Sequence, residues 1–170
     1  MSFKFDYSET PYSDPYIRGV NKTYFRNPNA VTYKLVAEFA SRDDKILDYG
    51  AGPQAYHAGL LRGMGFNVDA IDIGDNFNPK VHTIGVFNKK YDIVYASNVI
   101  NVQPNRDYID IVLGEIKSLL KPSGYFMCNY PSDPRKAGLG LPQITEILKS
   151  NFNVVKRIPE SDVPVFVCIP

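Results

Sequence analysis

The 170-residue chain is 44% hydrophobic and 22% charged, which fits one globular domain and excludes a disordered chain. Nineteen basic against eighteen acidic side chains leave a net charge of +1, so charge gives no general support for binding nucleic acid. The start, MSFKFDYSET, has no leader-type pattern, no run approaches a membrane span, and Cys128 and Cys168 lack metal-ligand spacing. We therefore expect a single cytoplasmic domain over 1–170, with no membrane contact, no metal, and both cysteines as reduced, buried hydrophobes.

In residues 1–28, Tyr7, Tyr12, Tyr16, Tyr24 and Phe25 stand among Pro11, Pro15 and Pro28, a composition that predicts an irregular lead before an α/β core over 29–170. Asn29–Ala40 predicts a helix, capped by Asn29, with Val31, Leu35, Val36 and Phe39 on its apolar face. Then comes KILDYGAGPQAY, Lys45–Tyr56. Ile46 and Leu47 begin a buried parallel strand, the Asp48–Pro53 stretch is a glycine turn, and a helix follows from about Gln54 or Ala55 to Met64. Gly63 and Gly65 stop that helix. Free N–H groups at its start would attract polar or anionic ligand groups.

Asn67–Asp72 predicts a second strand ending in an acid. Asp72 follows Gly52 by twenty residues, the spacing of a carboxylate that binds ribose hydroxyls in a Rossmann-like site. Asp69 is expected to face outward into solvent. The stretch from Asp72 to Asp92 is too short for a full helix and strand, so a reduced third strand around Val81–Ile84 is expected. His82 in it has no evident partner and should be a solvent-facing structural residue. Tyr91–Ser97 is the next buried strand. Pro104–Leu120 is a helix with Tyr108, Ile111, Val112, Glu115, Ile116, Leu119 and Leu120 as its core stripe. Lys121-Pro122-Ser123-Gly124 turns it into the strand Tyr125–Tyr130. Leu141–Ser150 reads as a helix, and Asn153–Ile158 and Val163–Ile169 as a closing hairpin.

The glycine turn admits two ligands. Gly50-x-Gly52-x-x-Ala55 satisfies the loose dinucleotide fingerprint, but the Asp48 carboxylate would repel a pyrophosphate. It suits a nucleoside that carries a cationic amino group and no phosphates, as S-adenosyl-L-methionine does. The stretch resembles the first motif of class I S-adenosylmethionine-dependent methyltransferases, hydrophobic-hydrophobic-Asp-x-Gly-x-Gly, with Gln54 where many members carry a third glycine. Asp72, the Tyr91–Asn98 segment and Leu119-Leu120-Lys121-Pro122-Ser123-Gly124 extend the resemblance over about residues 45–130.

The resemblance implies a doubly wound Rossmann-like α/β domain, mostly parallel, with an antiparallel C-terminal hairpin. It implies that Asp48, Gly50, Ala51 and Gly52 hold the methionine moiety, that Asp72 fixes the ribose, and that Ile73 and Phe77 pack on adenine. Ser97 and Asn98 would stand beside the reacting centre. Asn98, Tyr130 and Tyr16 are acceptor-side candidates; residues 1–28 are either a lid that includes Arg18 and Tyr24 or a flap whose aromatics plug the core edge, and Arg135 and Lys136 either meet an anionic acceptor or sit on a solvated turn. No base is identified. The Asn/Asp-Pro-Pro-aromatic tetrad of amino-methylating nucleic-acid enzymes is replaced by Ser97-Asn98-Val99-Ile100. The acceptor stays open among a small molecule, a nucleotide or nucleic acid and a protein side chain, as does the need for a partner subunit. The alternatives are a non-catalytic cofactor-binding or scaffold subunit and, against Asp48, an NAD(P)-dependent oxidoreductase.

Overall fold

The computed structural model describes residues 27–132, 138–159 and 161–170, with the side chain of residue 75 left out. Their elements run α1 (Val31–Phe39), β1 (Lys45–Tyr49), α2 (Tyr56–Gly63), β2 (Asn67–Ile71), β3 (Tyr91–Ala96), α3 (Arg106–Leu119), β4 (Leu120–Asn129), α4 (Leu141–Asn151), β5 (Val154–Arg157) and β6 (Val165–Ile169). The six strands form one sheet in the order β2-β1-β3-β4-β6-β5. The first four are parallel, and β6 runs antiparallel to both of its neighbours. This is the doubly wound α/β sheet with a C-terminal hairpin that the sequence predicts.

Alternation along the strands splits the core in two, because successive side chains take opposite faces. Ile46, Ile93, Tyr95 and Met127 pack with Tyr33 and Val36 of α1 and Ala58 and Leu61 of α2. Leu47, Val94, Ala96, Phe126 and Cys128 pack on the other face with α3 and α4. Each fully buried Leu or Ile stabilises the fold by about 1.5–3 kcal/mol. Cys128 and Cys168 are buried, free thiols in that second cluster. Helix α2 ends in a Schellman arrangement: the Phe66 N–H reaches the Leu61 carbonyl, the Gly65 N–H reaches Arg62, and Gly65 takes φ 88°.

Several local expectations are corrected. Asn29 does not cap α1; Ala30 holds the cap position without a side-chain bond, and Phe39 is exposed. No strand forms at Val81–Ile84. Residues 73–88 instead make turns and two short 3-10 segments, Gly74–Asn76 and Val86–Asn88, and the Thr83 N–H bonds the Ala70 carbonyl at the edge of β2. Asp69 is bonded, accepting from Lys89 Nζ at 2.9 Å and the Tyr91 hydroxyl at 2.8 Å. In α3 the sheet covers Ile109, Val112, Leu113, Glu115, Ile116 and Leu119, while Ile111 is exposed. Strand β4 starts at Leu120 and is irregular opposite Tyr91–Ile93. Gly124 fills that irregularity because a Cβ there would lie 2.8 Å from the Asp92 carbonyl oxygen.

Candidate active site

The chain leaves β1 to pair β2 on one side and later returns to pair β3 on the other, so the carboxyl ends of β1 and β3 diverge into a crevice. A cleft of about 350 Å³ opens there, within the range of small-molecule sites. Its lining comes from Asp48 and Gly50–Gly52 after β1, Asp72 after β2, Ser97 and Asn98 after β3, and Asn129 and Pro131 after β4. Asn27, the start of α1 (Asn29–Thr32), His57 of α2, Val102 and Val163 complete it.

The glycine loop is shaped by its bonds. Gly50 and Ala51 donate their N–H groups to the Ile71 carbonyl at 2.9 and 3.0 Å, and Gly52 donates to Asp72 Oδ2 at 2.6 Å. Gly50 and Gly52 take φ 79° and 76°, and a Cβ on Gly50 would lie 2.4 Å from Val99 Cγ2. Glycine is required at position 50 on both counts. Ala55, third in the fingerprint, also takes a left-handed φ of 46° just before α2.

Two carboxylates face the cleft from inside the protein. Asp48 is 2% exposed and its Oδ2 has no hydrogen-bond partner among the described residues. Burial pushes its pKa up to about 7, although the Tyr95 hydroxyl beside it acts in the opposite direction. Asp48 and Tyr95 are paired in the β1–β3 register, yet the hydroxyl closes no hydrogen bond of normal geometry. Asp72 is buried too. Its Oδ1 accepts from the Ile73 N–H at 2.7 Å and its Oδ2 from Gly52, and burial outweighs those bonds to raise its pKa to about 6.

At the opposite wall, Asn98 takes a left-handed φ of 57°, which asparagine tolerates better than most residues. It is held by a reciprocal amide pair: Asn98 N–H donates to Asn129 Oδ1, and Asn129 Nδ2 donates to Asn98 Oδ1, both at 2.7 Å. Ser97 lines the cleft beside it.

The structure thus brings Asp48, Gly50, Ala51, Gly52, Asp72, Ser97 and Asn98 to one cleft. Ile73 is half-buried and acts through its backbone N–H on Asp72, and Phe77 packs on the core. Tyr130 does not reach the cleft; it is fully buried and its hydroxyl donates to the Leu139 carbonyl at 2.7 Å. Tyr16, Arg18, Tyr24, Arg135 and Lys136 lie outside the described residues. Among the described residues no His, Cys, Asp or Glu cluster could hold a metal.

Sequence reasoning missed four contributors. His57 lines the cleft, stacks on Tyr33 at 4.7 Å and meets the Asn27 carbonyl through Nε2 at 2.9 Å; burial lowers its pKa. Thr32 has a buried hydroxyl without a hydrogen-bond partner among the described residues, and Asn129 holds Asn98. His82, expected in solvent, is 5% exposed and bonded beneath the glycine loop. None of the four sits in a sequence pattern: His57, His82 and Asn129 are defined by backbone groups or residues distant in the chain, and Thr32 by its burial.

A family model described as a methyltransferase domain matches residues 21–153, and the chain belongs to that family. Solved structures of similar fold include a TehB-like SAM-dependent methyltransferase from Corynebacterium glutamicum, 19% identical, with 79% of this chain and 85% of that one covered at a TM-score of 0.59. A magnesium protoporphyrin IX methyltransferase from Synechocystis with bound SAM is 16% identical, with 81% and 75% covered and a TM-score of 0.56. A glycopeptide N-methyltransferase complexed with sinefungin is 14% identical, with 87% and 100% covered and a TM-score of 0.60. At such identities the likeness is one of fold. No curated protein matches the chain by sequence. Among the described residues, no helix is long and apolar enough to cross a membrane.

Proposed function

We propose that the protein transfers the methyl group of S-adenosyl-L-methionine to an acceptor that enters the cleft past Ser97, Asn98 and Pro131. The carrying observation is the Asp48 carboxylate, which lines the cleft from a buried position at the end of β1 beside the glycine loop. A buried carboxylate is costly to ionise, and a ligand that brings a cationic ammonium near it offsets that cost. The same carboxylate disfavours a pyrophosphate, and hence a dinucleotide.

The residues present fit this cofactor. Gly50 and Gly52 add no side chain of their own to the loop, Asp48 would face the amino group, and Asp72, pinned by two backbone N–H groups, would accept from the ribose hydroxyls. The Synechocystis neighbour, solved with bound SAM, supports the reading. When bound, the sulfonium supplies an electrophilic methyl carbon. The chain's part is to orient the acceptor against it and to exclude water. Ser97 and Asn98 stand where such an acceptor would be held.

Thermal unfolding with S-adenosyl-L-methionine, S-adenosylhomocysteine and NAD in separate titrations tests the reading. A ligand at a hundredfold its Kd adds about 2.7 kcal/mol, which raises Tm by roughly 5–11 °C for a domain of this size. The expected result is a shift with the first two ligands alone. A shift with NAD alone overturns the reading.

A further inference from the structure

The glycine loop is held from behind by a histidine that can do so in only one protonation state. Residues 73–88, which form no strand, fold beneath the loop, and His82 attaches them to it. The ring is buried. Its Nδ1 lies 3.0 Å from the Asn78 backbone nitrogen, and its Nε2 lies 2.8 Å from the Gly52 carbonyl oxygen. A peptide N–H only donates and a carbonyl only accepts. Nδ1 must therefore be bare and Nε2 must carry the hydrogen, which is one tautomer of the neutral ring.

The arrangement continues through the loop. Gly52, which receives His82 at its carbonyl, donates its N–H, in the preceding peptide group, to Asp72. Asn78 adds a second tie, from Nδ2 to the Pro53 carbonyl at 3.1 Å. Gly52 is thus fixed on one side by His82 and on the other by the carboxylate assigned to the ribose. A protonated ring would carry hydrogens on both nitrogens and set Nδ1–H against the Asn78 N–H.

We propose that His82 is a positioning residue of the cofactor site: its neutral Nε2–H form sets the Gly52 peptide, and protonation of the ring releases the loop and weakens cofactor binding. The proposal rests on the reading of the cleft as a S-adenosyl-L-methionine site. Of the described charged groups around the ring, Arg62 of α2 opposes its protonation, as burial does, and together they lower its pKa against the pull of the Gly52 bond. Asp72, across Gly52, is the titratable acid closest in the bonding chain, and burial raises its pKa to about 6. Phe77 supplies an uncharged ring at 5.7 Å. The working form is the neutral one, so binding is complete at neutral pH and is lost on the acid side, through the lowered value of the ring.

Glutamine separates the two titrations, because one amide carries both an acceptor and a donor and does not ionise. Affinity for S-adenosylhomocysteine would be measured from about pH 8 to about pH 5 in the wild type, His82→Gln and His82→Leu, with each variant's fold checked by circular dichroism. The wild type should lose affinity progressively toward acid, and by more than His82→Gln does. His82→Gln should bind like the wild type at pH 8 and show a flatter profile, the residue of which belongs to Asp72. His82→Leu, which makes neither bond, should bind about tenfold or more weakly throughout. An unchanged profile in His82→Gln, or wild-type affinity in His82→Leu, overturns the proposal. Imidazole ¹⁵N shifts in the ligand-free protein give a second readout. A neutral Nε2–H ring, and a Gly52 amide signal that moves in His82→Leu but not in His82→Gln, support positioning even where no ligand binds, which would sink the cofactor reading instead. A ring with the other tautomer, or charged at pH 8, overturns the proposal outright.

Discussion

Asp48 at neutral pH is balanced between its two protonation states, with a pKa near 7 set by burial. A cation placed beside it favours the ionised form, so binding of S-adenosyl-L-methionine at about pH 7 should expel protons. Calorimetry in buffers of different ionisation enthalpy would show that release in the wild type and its loss in Asp48→Asn. The variant should also bind more weakly, by about 1.5–3 kcal/mol for a charge-assisted bond, or roughly tenfold to a hundredfold. Unaltered proton release in the variant would remove Asp48 from the ligand's amino group. Asp48 and Asp72 were legible in the sequence because strand ends and glycines place them by spacing alone. His82 and His57 were not, since each is defined by a backbone carbonyl thirty positions away. Tyr130 failed for the opposite reason: its position at the end of a strand suggested the cleft, but its ring turns into the core and its hydroxyl anchors the Leu139 carbonyl.

Helix α3 shows how elements are chosen between competing patterns. RDYIDIVLGEIKSL carries apolar residues on more than one stripe, and the sheet selects Ile109 and Leu113 over Tyr108 and Ile111. Its start depends on Asn105, whose Oδ1 accepts from the Tyr108 N–H at 3.2 Å, the N3 amide. Asn105→Ala should cost about 1 kcal/mol and lower Tm by roughly 2–4 °C, with cofactor affinity unchanged because the cap lies outside the cleft lining. A melt indistinguishable from the wild type would show that packing alone starts the helix. The existence and order of the elements were legible from periodicity and turn residues. The unformed third strand was legible only as a shortage of chain, because nothing in Val81–Ile84 reveals that its place is taken by bonds to a loop.

The whole molecule stores acid groups in the wrong solvent. Asp48, Asp72 and Glu115 have pKa values near 7, 6 and 7, all raised first by burial. In the unfolded chain they ionise near pH 4, so between about pH 4 and pH 7 the folded form holds more protons. These three groups therefore make the ligand-free fold less stable as pH rises through that window. The buried His57 and His82, with lowered values, act in the reverse sense and cost stability as pH falls below about 6.5. Glu115 lies outside the cleft lining, 6% exposed and accepting the Tyr49 hydroxyl at 2.7 Å. Glu115→Gln keeps an acceptor and removes the charge. Denaturant melts should find it no more stable than the wild type near pH 4 and more stable near pH 8; equal stability at both would assign the pH response to the cleft pair.

The missing strand has a further consequence for motion. Beyond β2 there is, among the described residues, no neighbouring strand to hold residues 73–88, which are bonded in part to Gly52, Pro53 and Ala70. Opening this flap breaks the bonds that shape the glycine loop, so the two must fray together as one cooperative unit while β4 and β6 stay closed. A ligand that clamps the loop would then quiet the flap as well, although it need not touch it.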